Sequence, residues 1–108
     1  MADWTQEQID AVWAKGKVIE GYDSDKYRKD MAGAWMDYDK YGETNPLGLG
    51  WEIDHIKPEA KGGSDNLSNL QPLQWENNRT KGDDYPKFDT YVTSEGTKNI
   101  YRTKSWSY

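Results

Sequence analysis

The sequence contains no cysteine and only one histidine, His55. The lack of cysteine excludes disulfide bonds and a structural zinc held by thiolates, and a single histidine excludes a metal site built from several imidazoles. No stretch approaches the roughly 18 consecutive apolar residues of a membrane span. The start of the chain has no basic region followed by an apolar run, which is the pattern of a signal peptide. We therefore expect a soluble, intracellular (cytoplasmic) protein with no membrane partner.

Aliphatic side chains are scarce. Leu, Ile, Val and Phe together supply fourteen of 108 residues, and the net charge is −5. That combination is typical of disordered chains. Six Trp and eight Tyr compensate, because each large ring buries roughly 150–250 Å². The length fits one domain over residues 1–108, and we expect a small core stabilised further by a ligand or partner.

The acidic charge is concentrated in the first half of the chain. Residues 1–49 carry six basic and ten acidic side chains, whereas residues 50–82 carry four and five. The isoelectric point near 4.8 argues against nucleic-acid binding through bulk positive charge. Any such contact must use local groups and a metal ion.

Local patterns predict an α+β fold that begins with a helix. Thr5 and Gln8 have the spacing of a capping box, apolar residues on one face follow, and Gly16 is a natural stop. Residues 27–33 favour a short helix, and residues 34–38 favour a strand.

The second half of the chain predicts strand, glycine-containing loop, strand and helix over 51–82. The strands are residues 51–56 and 70–73, and the helix is 74–81. A C-terminal β-hairpin turns at Glu95-Gly96 and places Tyr91 and Tyr101 on one face. The tail after it either docks through Trp106 or is loose.

An ordered set of polar and small residues fills the segment 51–82. The set consists of Asp54-His55-Ile56-x-Pro58, then Gly62-Gly63, then Asn69-Leu70-Gln71, then Asn78 with Lys81 three residues later. This pattern resembles the motif of the HNH endonuclease family. The resemblance implies a ββα-metal arrangement at 51–82 and a single HNH endonuclease domain.

The residue types suit phosphodiester hydrolysis, which needs an activated water, charge neutralisation on the phosphate and a stabilised leaving oxygen. An imidazole, titrating near 6.5 in water, serves as a general base at neutral pH. Asp54 offers a carboxylate and Asn78 an amide oxygen, hard ligands that suit one Mg²⁺ or Mn²⁺ ion. Activity is expected to fall below about pH 6, because a protonated imidazole accepts no proton.

The resemblance assigns the roles. His55 is the general base, Asp54 and Asn78 hold the metal, and Asn69 braces the loop that positions His55. Gly62 and Gly63, in the same loop, allow its tight turn.

The resemblance also implies a nucleic-acid partner. Arg79 and Lys81 are candidates for phosphate contact, and cleavage would leave 5′-phosphate and 3′-hydroxyl ends. Duplex DNA is the first expectation, with RNA as the alternative, and a protein partner or a homodimer is compatible with the pattern.

Some residue assignments stay open. Asn77 is adjacent to Asn78, so the ligand could lie one residue earlier, and Glu52 could support the site or face solvent. Neighbours in a regular strand point to opposite faces. Asp54 and His55 can therefore share a site only if the strand ends or twists there.

Two questions concern the whole domain. The acidic first half motivates an alternative function, a non-catalytic HNH scaffold for binding or a subunit of a larger complex. Many HNH proteins brace the motif with two cysteine pairs around zinc. Without cysteine, we expect the aromatic N-terminal half to replace that brace.

Overall fold

The first helix, α1 (Gln6–Trp13), begins where the capping box predicts. The Thr5 side chain accepts a hydrogen bond from the backbone N–H of Gln8, and the Gln8 side chain accepts one from the backbone N–H of Thr5. The computed structural model describes residues 3–108, and none of their helices is long and apolar enough to span a membrane. The predicted N-terminal helix is confirmed.

The described residues form an α+β fold of two α-helices and three separate two-stranded antiparallel sheets. The first sheet pairs β1 (Tyr27–Lys29) with β2 (Trp35–Asp37). The second pairs β3 (Trp51–His55) with β4 (Leu70–Gln74), and α2 (Trp75–Lys81) follows directly. The third is the hairpin of β5 (Lys87–Glu95) and β6 (Lys98–Ser107).

The short helix predicted for residues 27–33 is wrong. That stretch forms β1 and a tight turn into β2, with Arg28 opposite Met36. The Asp30 carboxylate closes the turn by accepting hydrogen bonds from the backbone N–H groups of Ala32 and Ala34. Gly33 adopts a left-handed φ of 88°, which only glycine adopts readily. Pairing across this turn therefore overrides the weak local preference for a helix.

The order of strand, loop, strand and helix predicted for 51–82 is confirmed, with boundaries shifted by one residue. In the sheet register, Asp54 lies opposite Gln71. Gln74 both ends β4 and caps α2, because its side chain accepts from the backbone N–H of Glu76 and Asn77. Helix α2 therefore starts without a loop and is held at a fixed angle to the strand before it.

The C-terminal hairpin is also confirmed. Gly96 turns the chain with a φ of 59°. The rings of Tyr91 and Tyr101 stack with centroids 4.6 Å apart. The open question about the tail is resolved in favour of docking, because β6 extends to residue 107 and the Trp106 indole N–H donates to the Thr90 hydroxyl at 2.8 Å.

Aromatic rings form much of the core. The ring centroids of Trp13 and Trp51 are 5.2 Å apart, and those of Trp13 and Tyr38 are 5.6 Å apart. Val12, Met36 and Leu70 are buried in the same cluster. This cluster joins α1 to the first two sheets. Its aromatic content agrees with the small aromatic core that the composition predicts.

A buried polar network provides a second brace that the composition did not indicate. Asp30 is 2% exposed. Its second carboxylate oxygen accepts from the Gln74 backbone N–H and the Asn77 side-chain amide, each at 3.0 Å. The Asn77 side chain in turn accepts from the backbone N–H groups of Tyr91 and Val92. One aspartate and one asparagine therefore tie the first sheet, α2 and the C-terminal hairpin together.

Candidate active site

A cleft of about 320 Å³ opens where β3 meets α2. It is lined by nine residues, three of which are the predicted base and metal ligands: Ile53, Asp54, His55, Pro58, Glu59, Asn78, Arg79, Gly82 and Asp83. The structure therefore brings Asp54, His55 and Asn78 to one place, although Asn78 lies in a different element from the other two.

Asp54 is held rigidly beside the cleft. It is 4% exposed, and its carboxylate accepts from the Gln71 side-chain amide at 3.0 Å and from the Lys81 ammonium at 3.2 Å. Burial raises the pKa of Asp54, while the hydrogen bond from Gln71 and the charge of Lys81 oppose that rise. Two donors leave part of the acceptor capacity of the two oxygens free. A divalent cation in the cleft would favour the ionised carboxylate further.

Lys81 lies inside the protein. Its side chain is fully buried, and its ammonium donates to Asp54 and to the backbone carbonyls of His55 and Ile56 at 3.0 and 3.1 Å. His55 is the last residue of β3 and Ile56 is the residue after it. Lys81 thus holds the site in shape, and this burial favours a supporting role over the phosphate contact that the sequence suggests.

Arg79 is placed differently from Lys81. Its side chain is 59% exposed at the cleft, and the guanidinium makes two hydrogen bonds to the Glu52 carboxylate, at 3.1 and 2.8 Å. This ion pair raises the pKa of Arg79. Arg79 can therefore reach a phosphate at the rim of the cleft.

The two adjacent asparagines of α2 face different surroundings. Asn78 lines the cleft, and its side-chain N–H₂ donates to Glu52 at 2.9 Å. That bond turns the amide so that its oxygen is the atom left for a cation. Asn77 is fully buried and bonds to Asp30 and to the Val92 carbonyl. The geometry thus favours Asn78 as the ligand and gives Glu52 a supporting contact.

Asn69 is bonded to the loop that follows β3. Its side-chain oxygen accepts from the Lys57 backbone N–H at 2.9 Å, and its N–H₂ donates to the carbonyls of Lys57 and Ser64 at 3.0 and 2.8 Å. A Cβ added at Gly63 would lie 1.6 Å from the Lys57 carbonyl oxygen. The backbone at residue 63 can therefore approach the Lys57 carbonyl this closely only because residue 63 is glycine.

Two further residues surround the His55 ring and were missed in the sequence. The Trp4 ring lies with its centroid 5.5 Å from that of His55, and an Asp65 carboxylate oxygen lies 2.7 Å from His55 Nε2. Trp4 carries no local signal, because it is far away in the chain. Asp65 lies two residues after Gly63 in the same loop, and this position is the signal that could have identified it.

The donor set fits a hard divalent cation. One carboxylate and one amide oxygen, with water and phosphate filling the remaining positions, suit Mg²⁺ or Mn²⁺. The Lys81 charge partly neutralises Asp54, so we expect weak binding without substrate. A second donor group is formed by His55, Glu59 and Asp65, whose ligand atoms lie within 4.8 Å of one another.

Comparison with known families places the site in context. Residues 42–84 match the family model described as HNH endonuclease, which confirms the resemblance over β3, β4, α2 and the loops around them. No curated protein matches the chain. No solved structure matches it either.

Proposed function

From the premise that residues 42–84 form an HNH segment, we propose that the protein is a metal-dependent endonuclease that hydrolyses phosphodiester bonds in DNA. The observation that carries the proposal is the shared cleft of Asp54, His55 and Asn78. We further propose that residues 1–108 act as one domain, with a ββα-metal core at 51–82.

The chemistry follows from these side chains. The His55 imidazole accepts a proton from a water molecule, whose oxygen forms a bond to phosphorus while the bond from phosphorus to the 3′ oxygen breaks. The leaving 3′ oxygen takes up a proton from solvent. The products carry a 5′-phosphate and a 3′-hydroxyl. Asp54 and Asn78 would hold Mg²⁺ or Mn²⁺, which supplies charge neutralisation at the phosphate and at the leaving oxygen. Arg79 contacts a phosphate at the rim, and Lys81 keeps Asp54 in place.

The charge distribution predicts weak binding of substrate, with a shallow dependence on salt concentration. The protein carries a net charge of −5, so DNA contact depends on few local cations. Specificity is then low, or is supplied by a partner. We expect duplex DNA to be the preferred substrate over single-stranded DNA and RNA.

A plasmid-nicking assay with Mn²⁺ tests the proposal. The parent is compared with Asp54→Ala, His55→Ala and Asn78→Ala, and Glu20→Ala serves as an exposed control outside the cleft. His55→Ala should slow nicking at least about 100-fold, the usual contribution of a general base. Circular dichroism shows whether each variant is folded. A folded His55→Ala protein that nicks as fast as the parent would show that His55 is not the base.

The acidic surface favours one second candidate, a non-catalytic HNH scaffold that binds another protein. Manganese titration by calorimetry, with and without DNA, separates the two functions. The nuclease should bind Mn²⁺ more tightly when DNA is present. Lack of both Mn²⁺ binding and cleavage of duplex DNA, single-stranded DNA and RNA would favour the binding scaffold.

A further inference from the structure

The His55 ring is held by a carboxylate that is not among the expected metal ligands. Asp65 Oδ1 lies 2.7 Å from His55 Nε2, while Glu59 Oε1 lies 3.9 Å from the same nitrogen. Among the described residues, only Asp65 is within hydrogen-bond distance of the ring. The ring itself is largely covered, with 15% of the side chain exposed, and Trp4 packs beside it.

The backbone before Asp65 is fixed, although the Asp65 side chain is 56% exposed. The Asn69 side chain donates to the carbonyl of Ser64, the residue immediately before Asp65. The same side chain bonds to both backbone groups of Lys57, which follows the end of β3. The hydrogen bonds of Asn69 therefore hold the loop that carries Asp65 at a fixed position relative to His55.

A neutral imidazole carries one proton, and the nitrogen without it is the proton acceptor. A carboxylate accepts hydrogen bonds, so an Asp65 carboxylate at Nε2 favours the tautomer with the proton on Nε2. The lone pair then lies on Nδ1. A carboxylate that fixes the tautomer and orientation of a functional imidazole is a recurrent arrangement in proteins.

We propose that Asp65 is a positioning residue that holds His55 as the Nε2–H tautomer, so that Nδ1 is the nitrogen that takes the proton from water. The proposal rests on the proposed nuclease function for its kinetic consequence, but the tautomer itself is a property of the resting protein. Asn69 then acts on His55 through Ser64 and the loop that carries Asp65.

The tautomer is measurable directly, because His55 is the only histidine in the chain. Long-range ¹H–¹⁵N spectra of protein labelled with ¹⁵N in the imidazole ring report which nitrogen is protonated. They are recorded without metal at about pH 8.5, two units above the reference pKa of a free imidazole. The parent should show the Nε2–H form. Glu59→Gln is the matched control, because Glu59 is close to the ring but not bonded to it, and its spectrum should be unchanged.

Asp65→Ala should shift the spectrum toward a mixture of tautomers. If the nuclease function holds, the same variant should lose about 10- to 100-fold in kcat, the usual effect of removing such a supporting partner, with KM nearly unchanged. Asp65→Glu, which keeps the carboxylate, should restore part of the Nε2–H signal and part of kcat. A parent spectrum of the Nδ1–H form, or an unchanged spectrum in a folded Asp65→Ala variant, would overturn the proposal.

The two proposals fail in different ways. A tautomer change in Asp65→Ala in a protein without nuclease activity supports the positioning role and refutes the nuclease. A zinc titration of the parent tests whether His55, Glu59 and Asp65 bind a metal ion instead. Stoichiometric Zn²⁺ binding at Nε2 that Glu59→Gln abolishes would show a metal site of His55, Glu59 and Asp65, and would overturn the positioning role.

Discussion

Two buried aspartates that bond to different residues of α2, Asp30 to Asn77 and Asp54 to Lys81, differ in what else they contact. Asp30 is 2% exposed and Asp54 is 4% exposed, and burial raises the pKa of both. Asp30 accepts four N–H groups, two from its own turn and two from Gln74 and Asn77. Asp54 accepts from only two side chains and borders the cleft.

The difference shows that burial and a shifted pKa do not by themselves identify a functional carboxylate. Four donors occupy the acceptor positions of Asp30, so no ligand can be added without breaking a bond. Asp54 retains acceptor capacity beside an open cleft. We therefore infer that Asp30 stabilises the fold, whereas Asp54 is available for a cation.

The largest effect is expected from Asp30→Ala, which leaves four N–H groups in the interior without an acceptor. Each unsatisfied buried group costs about 1–3 kcal/mol, so the free energy of unfolding should fall by about 4 kcal/mol or more. Urea unfolding followed by circular dichroism measures the change, and the exposed Asp84→Ala is the control. A loss below about 1 kcal/mol would remove the structural role assigned to Asp30.

Asp54→Asn should affect activity as well as stability. The amide is similar in size and its oxygen can still accept from Lys81, but the buried ammonium loses its counter-charge, so the free energy of unfolding should fall. The neutral ligand should also weaken Mn²⁺ binding. We expect nicking to fall by about 100-fold and the Mn²⁺-dependent rise in Tm to disappear. Removal of metal from the parent with EDTA should stop nicking equally. If Asp54→Asn keeps both nicking and the Mn²⁺ effect, Asp54 is not a ligand.

Asn77 and Asn78 sharpen the comparison, because they are adjacent residues of the same type. Asn77→Ala should lower the free energy of unfolding by about 2–3 kcal/mol, because the four hydrogen bonds of its side chain are lost in the interior. Asn78→Ala should change stability by less than about 1 kcal/mol and reduce nicking. Urea unfolding and nicking are measured on both. The reverse result would identify Asn77 as the ligand.

The smallest effect concerns Arg79 and Lys81. A side chain that contacts phosphate contributes about one unit to the slope of log K against log salt. Arg79→Gln should therefore reduce that slope by about one. Lys81→Met should leave it unchanged, because the buried ammonium faces Asp54. DNA affinity measured by fluorescence anisotropy at several salt concentrations gives both slopes. A reduced slope in a folded Lys81→Met variant would show that Lys81 does contact phosphate in the parent.

Much of the motif region could be predicted because its signals are local. The capping box at Thr5, the strands and helix within 51–82, and the turn at Gly96 depend on residues close together in the chain. The same applies to the candidate base and ligands, since the order and spacing of Asp54, His55 and Asn78 identify the family motif. At the capping box and at the Gly96 turn, residues close in the chain determine the hydrogen bonding and the backbone angles.

The tertiary structure decided what depends on residues far apart in the chain. Pairing with β2 makes residues 27–29 a strand, where a helix was predicted for 27–33, and packing brings Asp30 into contact with Asn77. It also buried Lys81 against Asp54 and placed Trp4 beside His55. Sequence patterns fix which side chains are polar, but not which partner each one meets, because that choice depends on how separate elements pack. For this protein, the sequence determined the chemistry of the cleft, and the packing determined which polar groups stay open to it.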